Sequence, residues 1–127
     1  MTVAGLGFLN ECLTNLGIPY EFMEWTSVPV PDTYFVGQYS EIQSVDEGGQ
    51  IESDFILMGT TTKKKYIELE TVKEQIRQEF PDYGLTDILS NGWGIAVMFD
   101  TAYPVPSVEE GIHRIQITLK VKEWKGE

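Results

Sequence analysis

The sequence is poor in the residues that do chemistry. Of 127 residues, one is cysteine, Cys12, and one is histidine, His113. A single thiol excludes an internal disulfide and a cysteine-based metal cluster, and Cys12 reads as a small buried apolar residue on the first helix. A single imidazole means that any Ser-His-Asp or Cys-His arrangement must be built around His113, and no glycine-flanked serine turn offers it a nucleophile. Basic residues are scarce too. Nine Lys and Arg against twenty Asp and Glu leave a net charge of −11, which disfavours sequence-specific or general nucleic-acid binding because phosphate is repelled. The lysines at Lys63-Lys64-Lys65 and at Lys120, Lys122 and Lys125 sit among acids and read as solvated faces. No apolar run approaches the roughly 20 residues of a membrane-spanning helix. The N-terminal residues MTVAGLGFLNECL have no cationic start and include Glu11, unlike a secretory signal, so synthesis inside the cell is expected, with no membrane partner. No glycine loop precedes a Lys-Ser or Lys-Thr pair to cradle phosphate; Gly92 and Gly94 flank Trp93 instead of opening a helix. No cofactor is expected, and no enzymatic activity.

What is present is the material of one compact domain, residues 1–127. Hydrophobic residues make up 42% of the chain and charged residues 23%, close to a soluble globular average. Leu6, Leu9, Leu13 and Leu16 form one helical stripe, which Gly17 and Pro19 terminate. Tyr20 to Trp25 is aromatic and reads as a strand. Ser27 to Asp32 holds Pro29 and Pro31 and reads as a connection or sheet edge. Thr33 to Ser44 and Gln50 to Thr61 are rich in aromatic and β-branched residues and flank Val45-Asp46-Glu47-Gly48-Gly49, which predicts an antiparallel hairpin. Leu69, Val72, Ile76 and Phe80 mark an amphipathic helix with Glu70, Lys73, Glu74, Arg77 and Gln78 opposite, stopped by Pro81. Gly94 to Asp100 reads as a strand, Tyr103 to Glu110 as a proline-containing connection, and Gly111 to Trp124 as a long strand. In that strand Ile115, Ile117, Leu119 and Val121 alternate with Arg114, Gln116, Thr118, Lys120 and Lys122, so one face is buried and the other wet. The predicted fold is α+β, in the order α-β-β-β-α-β-β: a mainly antiparallel sheet of about five strands with two helices packed on one face.

The candidate sites are correspondingly plain. His113 shares parity with Ile115 and is expected at the start of the inward face as a hydrogen-bonded structural histidine. Asp46, Glu47, Glu52 and Asp54 gather oxygens near the hairpin end, but they lack the D-x-[DN]-x-[DN]-G spacing that makes a calcium loop specific, so no metal is expected. Aromatic residues are numerous for so short a chain, and exposed Tyr and Trp favour protein interfaces. Tyr34, Phe35, Tyr39, Trp93 and Tyr103, with Asp46, Glu47 and Gln50 of the hairpin, are the candidate interface residues. An RNA-binding sheet would pair such aromatics with basic flanks, which are missing.

One succession of residues carries a resemblance. It runs Gly17-Ile18-Pro19-Tyr20 after a short helix, Val28-Pro29, Tyr34-Phe35-Val36-Gly37-Gln38-Tyr39, then Asp54-Phe55-Ile56-Leu57 leading to Leu69-Glu70 and an amphipathic helix. In pattern and order, across nearly the whole chain, it resembles prophage proteins of the tail-terminator, or tail-completion, family (minor tail protein U-like), although no diagnostic motif is present. The resemblance implies a small structural protein that assembles with itself as a ring, commonly hexameric, on the head-proximal end of a phage tail. Its partners would be the tail-tube protein and the head connector, in the host cytoplasm during assembly and in the virion afterwards. Acidity would suit a basic partner surface, or a passage through which DNA slides without sticking. Two other readings fit the same residues: another neck component, such as a head-completion or stopper protein, and a monomeric bacterial protein-binding module.

Overall fold

The computed structural model describes residues 1–42, 49–62 and 65–126. The elements follow the order α1 (Val3–Asn15), β1 (Tyr20–Phe22), β2 (Thr33–Ile42), β3 (Ile51–Thr62), α2 (Tyr66–Glu79), β4 (Leu85–Ile88), β5 (Gly94–Val105) and β6 (Ile112–Trp124). The strands form a single six-stranded sheet in the order β1-β2-β3-β6-β5-β4. All neighbours are antiparallel except β1, which runs parallel to β2. The α+β class is as predicted, with two refinements: the sheet is mixed, and it has six strands.

The core explains the arrangement. Phe35 of β2, Phe55 and Leu57 of β3, Ile115, Ile117, Leu119 and Val121 of β6, and Ile95 and Val97 of β5 are buried on one sheet face. Leu9 and Leu13 of α1 and Leu69, Val72 and Ile76 of α2 close over them in the same cluster, with Phe80 just beyond α2. Both helices therefore cover one face. Leu6 and Leu16 complete the α1 stripe at its half-buried rim. Gly59 of β3 lies where a side chain cannot fit, since a Cβ there would stand within 3.0 Å of the Phe35 ring and at 3.0 Å from Ile115.

A buried carboxylate ties the two ends of the chain together. Glu123, near the end of β6, is fully buried, and it accepts from the Thr2 N–H at 3.1 Å and from the Thr2 hydroxyl. Thr2 is the N-cap of α1, and its hydroxyl oxygen accepts from the Gly5 N–H at 2.9 Å. The anion thus sits at the positive end of a helix, where unpaired N–H groups and the macrodipole favour it.

Four expectations need correction. The first strand stops at Phe22, because Met23 takes a positive φ of 71° and its N–H turns to Gly37 O. Leu85–Ile88 is a strand that its length and polarity hid. β5 continues through Tyr103, Pro104 and Val105 past an irregularity between Phe99 and Thr101. Pro104 is tolerated there because the four residues of β4 pair only with Gly94 to Val97, and proline is acceptable along a sheet edge. His113 has the parity of Ile115 but is exposed, opposite Thr61 and edge-on to Tyr66 at 5.7 Å. It meets only the first residue of α2, at the open end of the inward face, and is not buried.

Gly59→Ala is expected to lower stability by about 1–3 kcal/mol through overpacking, read from the urea unfolding midpoint. Phe35→Leu should cost less in that background than in the parent, because the smaller side chain relieves the overlap; equal costs in both backgrounds would show that Phe35 is not what Gly59 accommodates.

Candidate interaction face

The sheet face turned away from the helices is the most distinctive surface of the molecule. Successive strand residues point to opposite faces, so Tyr34 and Val36 of β2, Ile56 and Met58 of β3, and Met98 of β5 all point away from the core. The irregularity after Phe99 matters here. On strict alternation Tyr103 would share the face of Val97 and Phe99, yet the register Thr101↔Thr118 and Tyr103↔Gln116 carries Tyr103 and Val105 to the helix-free side. Two levels across the sheet are then poor in charge: Val36–Met58–Gln116–Tyr103 has none, and Tyr34–Thr60–Arg114–Val105 has only Arg114, which pairs with Glu109. Tyr103 is 47% exposed, and Trp124, lying over Gly94, is 39% exposed.

The run Phe55-Ile56-Leu57-Met58 expresses this in the sequence. A strand that is apolar at consecutive positions is the kind expected to be covered on both faces. In the monomer only Phe55 and Leu57 are covered, by the helices. Apart from Arg114, the charges of the four long strands on this face gather in a separate zone, where Glu52 pairs in register with Lys122 and Asp54 with Lys120.

At the β1 edge the face is bounded by a braced loop. Trp25 packs on Tyr34 with ring centroids 5.5 Å apart, and its Nε1 donates to Ser27 O at 2.9 Å. The Glu21 carboxylate accepts from the Thr26 hydroxyl at 2.7 Å and from the Thr26 and Ser27 N–H groups. The Thr26 hydroxyl bond, foremost among these, holds the Glu21 carboxyl below the usual carboxylate range. Val28 and Val30 project beyond this brace, with Val28–Pro29 in the cis form.

The predicted interface residues divide. Tyr34 and Tyr103 share the bare face. Tyr39 is 41% exposed but has the inward parity, stacked on Phe22 at 6.3 Å. Phe35 is fully buried and belongs to the core, which corrects its assignment to an interface. Trp93 is half-buried against the core in the turn before β5, and Gln50 is half-buried just before β3. Asp46 and Glu47 lie outside the described residues, whereas Glu52 and Asp54 project from the bare face. Sequence reasoning missed Val36, Ile56, Met58, Met98 and Val105; the four-residue apolar run was the signal for two of them.

The clefts present no assembled chemistry. One of about 330 Å³ is lined by Ala4, Gly7, Phe8, Glu11 and Ile88–Ser90, and another of about 310 Å³ by Arg77, Pro81, Asp82 and Phe99, with Arg77 stacked on the Phe99 ring at 4.6 Å. His113 lines neither. Among the described residues no group of three or more His, Cys, Asp or Glu is arranged to hold a metal ion, and no helix is long and apolar enough to cross a membrane. Burial raises the Tyr20 phenol, and burial followed by the Glu70 hydrogen bond raises Tyr66; Lys73 holds Glu70 low. Tyr66, Glu70 and Lys73 form one hydrogen-bonded row along α2, and Tyr20 lies apart from it.

No protein-family model matches the chain, and no curated protein matches it.

Cys12 is half-buried on α1, and its thiol is pushed up to about 11, first by burial and then by Glu79, Glu11 and Asp87. Because the thiolate is the nucleophile, its alkylation by iodoacetamide is expected to keep accelerating about tenfold per pH unit from pH 7 to 10. A rate that levels off near pH 9, measured by intact mass with the fold checked by circular dichroism, would contradict the packing described.

Proposed function

We propose that the protein is a structural component of phage assembly, acting as a tail terminator: copies gather as a ring at the head-proximal end of the tail tube, stop its polymerisation and present the surface that meets the head connector. The observation that carries this reading is the helix-free sheet face, which carries Tyr34, Val36, Ile56, Met58 and Tyr103 with no helix over them. Half-buried apolar side chains gathered on an uncovered sheet face favour a protein contact there. The element order supports the same reading, because a short helix, a hairpin and an amphipathic helix succeed one another as the resemblance implies. Docking then needs shape and surface, and no reacting group.

Negative-stain microscopy of the purified protein mixed with a tail-tube protein from the same source tests this. Six-fold rings on one end of tubes of limited length are expected. Met58→Glu, which places a charge in the middle of the bare face without touching the core, should lose tube-end binding by at least about tenfold while the unfolding midpoint stays within about 0.5 kcal/mol of the parent. Protein that leaves tube length unchanged and decorates no ends removes the reading.

A further inference from the structure

We propose that in free solution the bare face is closed by a second copy of this chain, the two sheets packed face to face about a two-fold axis that runs along the strands between β3 and β6. The inference does not need the tail reading and goes beyond it, since a two-fold pair is a closed assembly and does not propagate into a ring. It describes the molecule before a larger partner competes for the same face.

The strand order gives the first reason. In β1-β2-β3-β6-β5-β4 the gap between β3 and β6 is the midline of the sheet. Rotation about an axis along that midline lays β3 of one copy on β6 of the other and β2 on β5, so the four long strands overlap.

Charge gives the second reason. In the charged zone both acids, Glu52 and Asp54, project from β3, and both lysines, Lys120 and Lys122, project from β6 at the same levels. The rotation preserves level and exchanges the two sides of the midline. Asp54 therefore faces the second copy's Lys120 and Glu52 faces its Lys122, and symmetry repeats both pairs. Had the acids and lysines alternated along each strand, the same operation would have opposed acid to acid. Face-packed sheets cross at about 30°, and with the crossing point at the Asp54–Lys120 level these four positions are the ones that rotation displaces least. The charge-poor levels also match: Tyr34 comes to the level of the second copy's Val105, Val36 to that of its Tyr103, and Arg114 meets the hydroxyl-bearing Thr60 of the second copy.

Area gives the third. Four long strands at about 4.8 Å spacing and five outward levels at about 6.8 Å make a surface of roughly 19 by 34 Å. The pair would bury about 1,300 Å², within the size class of specific protein interfaces. The net charge of −11 opposes association at long range, but that repulsion is screened over about 8 Å at physiological salt, while the facing pairs act at contact.

Sedimentation equilibrium at up to about 200 μM protein and 0.15 M salt provides the test. A mass near 29 kDa, twice the 14.4 kDa chain, is expected. Lys120→Glu/Lys122→Glu makes the charged zone wholly acidic and Glu52→Lys/Asp54→Lys makes it wholly basic. Each variant, its fold confirmed by circular dichroism, is expected to be monomeric, with dimerisation weakened at least about a hundredfold. Their equimolar mixture should form a 1:1 heterodimer, because every facing pair is then restored. The proposal is overturned by a monomeric parent, by a parent larger than a dimer, by variants that dimerise as the parent does, or by a mixture that stays monomeric. Ring formation on tubes is read separately: capped tubes with a monomeric free protein would leave the tail reading standing and remove this one, and a charge-swappable dimer that ignores tubes would do the reverse.

Discussion

The β3–β6 ladder is the constraint to which the rest of the molecule answers. Twelve residue pairs run from Ile51↔Glu123 to Thr62↔Ile112 down the middle of the sheet. A slip of one residue would turn Phe55 and Leu57, or Ile115, Ile117, Leu119 and Val121, from the core to the opposite face. That penalty pins the register, and the register places everything else. It brings Gly59 between Phe35 and Ile115 and sets Glu123 at the far end of the inward row.

Glu123 converts that register into a tertiary joint. A fully buried carboxylate is costly unless hydrogen-bonded and electrically compensated. Compensation here comes from Thr2 and the first turn of α1 rather than from a lysine or arginine. A helix terminus supplies only partial charge, but it is directional, and it works only if α1 begins where Glu123 ends. Gly5 permits the approach, since a Cβ there would overlap the carboxylate. The joint therefore fixes where α1 starts, and the leucine stripe fixes how it is rotated. With α2 seated by Leu69, Val72 and Ile76, the two helices fill one face of the sheet and leave the other bare.

Much of this was legible where a period repeats for long enough. The leucines of α1, the apolar positions of α2 and the alternation of β6 each state their own geometry. The hairpin arms of β2 and β3 were legible from their composition, although the turn at Val45 to Gly48 lies outside the described residues. What escaped were features decided by tertiary context. β1 is too short to show a period, and its parallel pairing comes from the Pro19 O to Phe35 N–H contact at its start. β4 is polar and brief, and Pro104 looks like a strand breaker until β5 is seen to outrun its neighbour. Tyr103 stood among the interface candidates for its aromatic side chain alone; its place on the bare face comes from the irregularity after Phe99. Phe35 shows the converse: two adjacent aromatics on one strand cannot both be outside, and Tyr34 took that place. His113 failed because parity predicts a face and not a depth.

Contact through the face, rather than through the sheet edges, follows from how the edges are built. Exposed strand edges invite pairing with other chains, and proteins blunt them with short strands, charges and proline. Here β1 is three residues long and turns away at Met23, β4 is four residues long and carries Asp87, and the part of β5 that outruns β4 contains Pro104. Edge addition is thus hindered on both sides, while the helix-free face has no comparable guard against apolar contact. Its protection is electrostatic: a chain of net −11 repels its like at a distance, so indiscriminate sticking is suppressed. A partner of the kind proposed would bring lysines to meet Glu52 and Asp54 and acids to meet Lys120 and Lys122, and such a requirement separates a specific contact from aggregation on a surface of this kind.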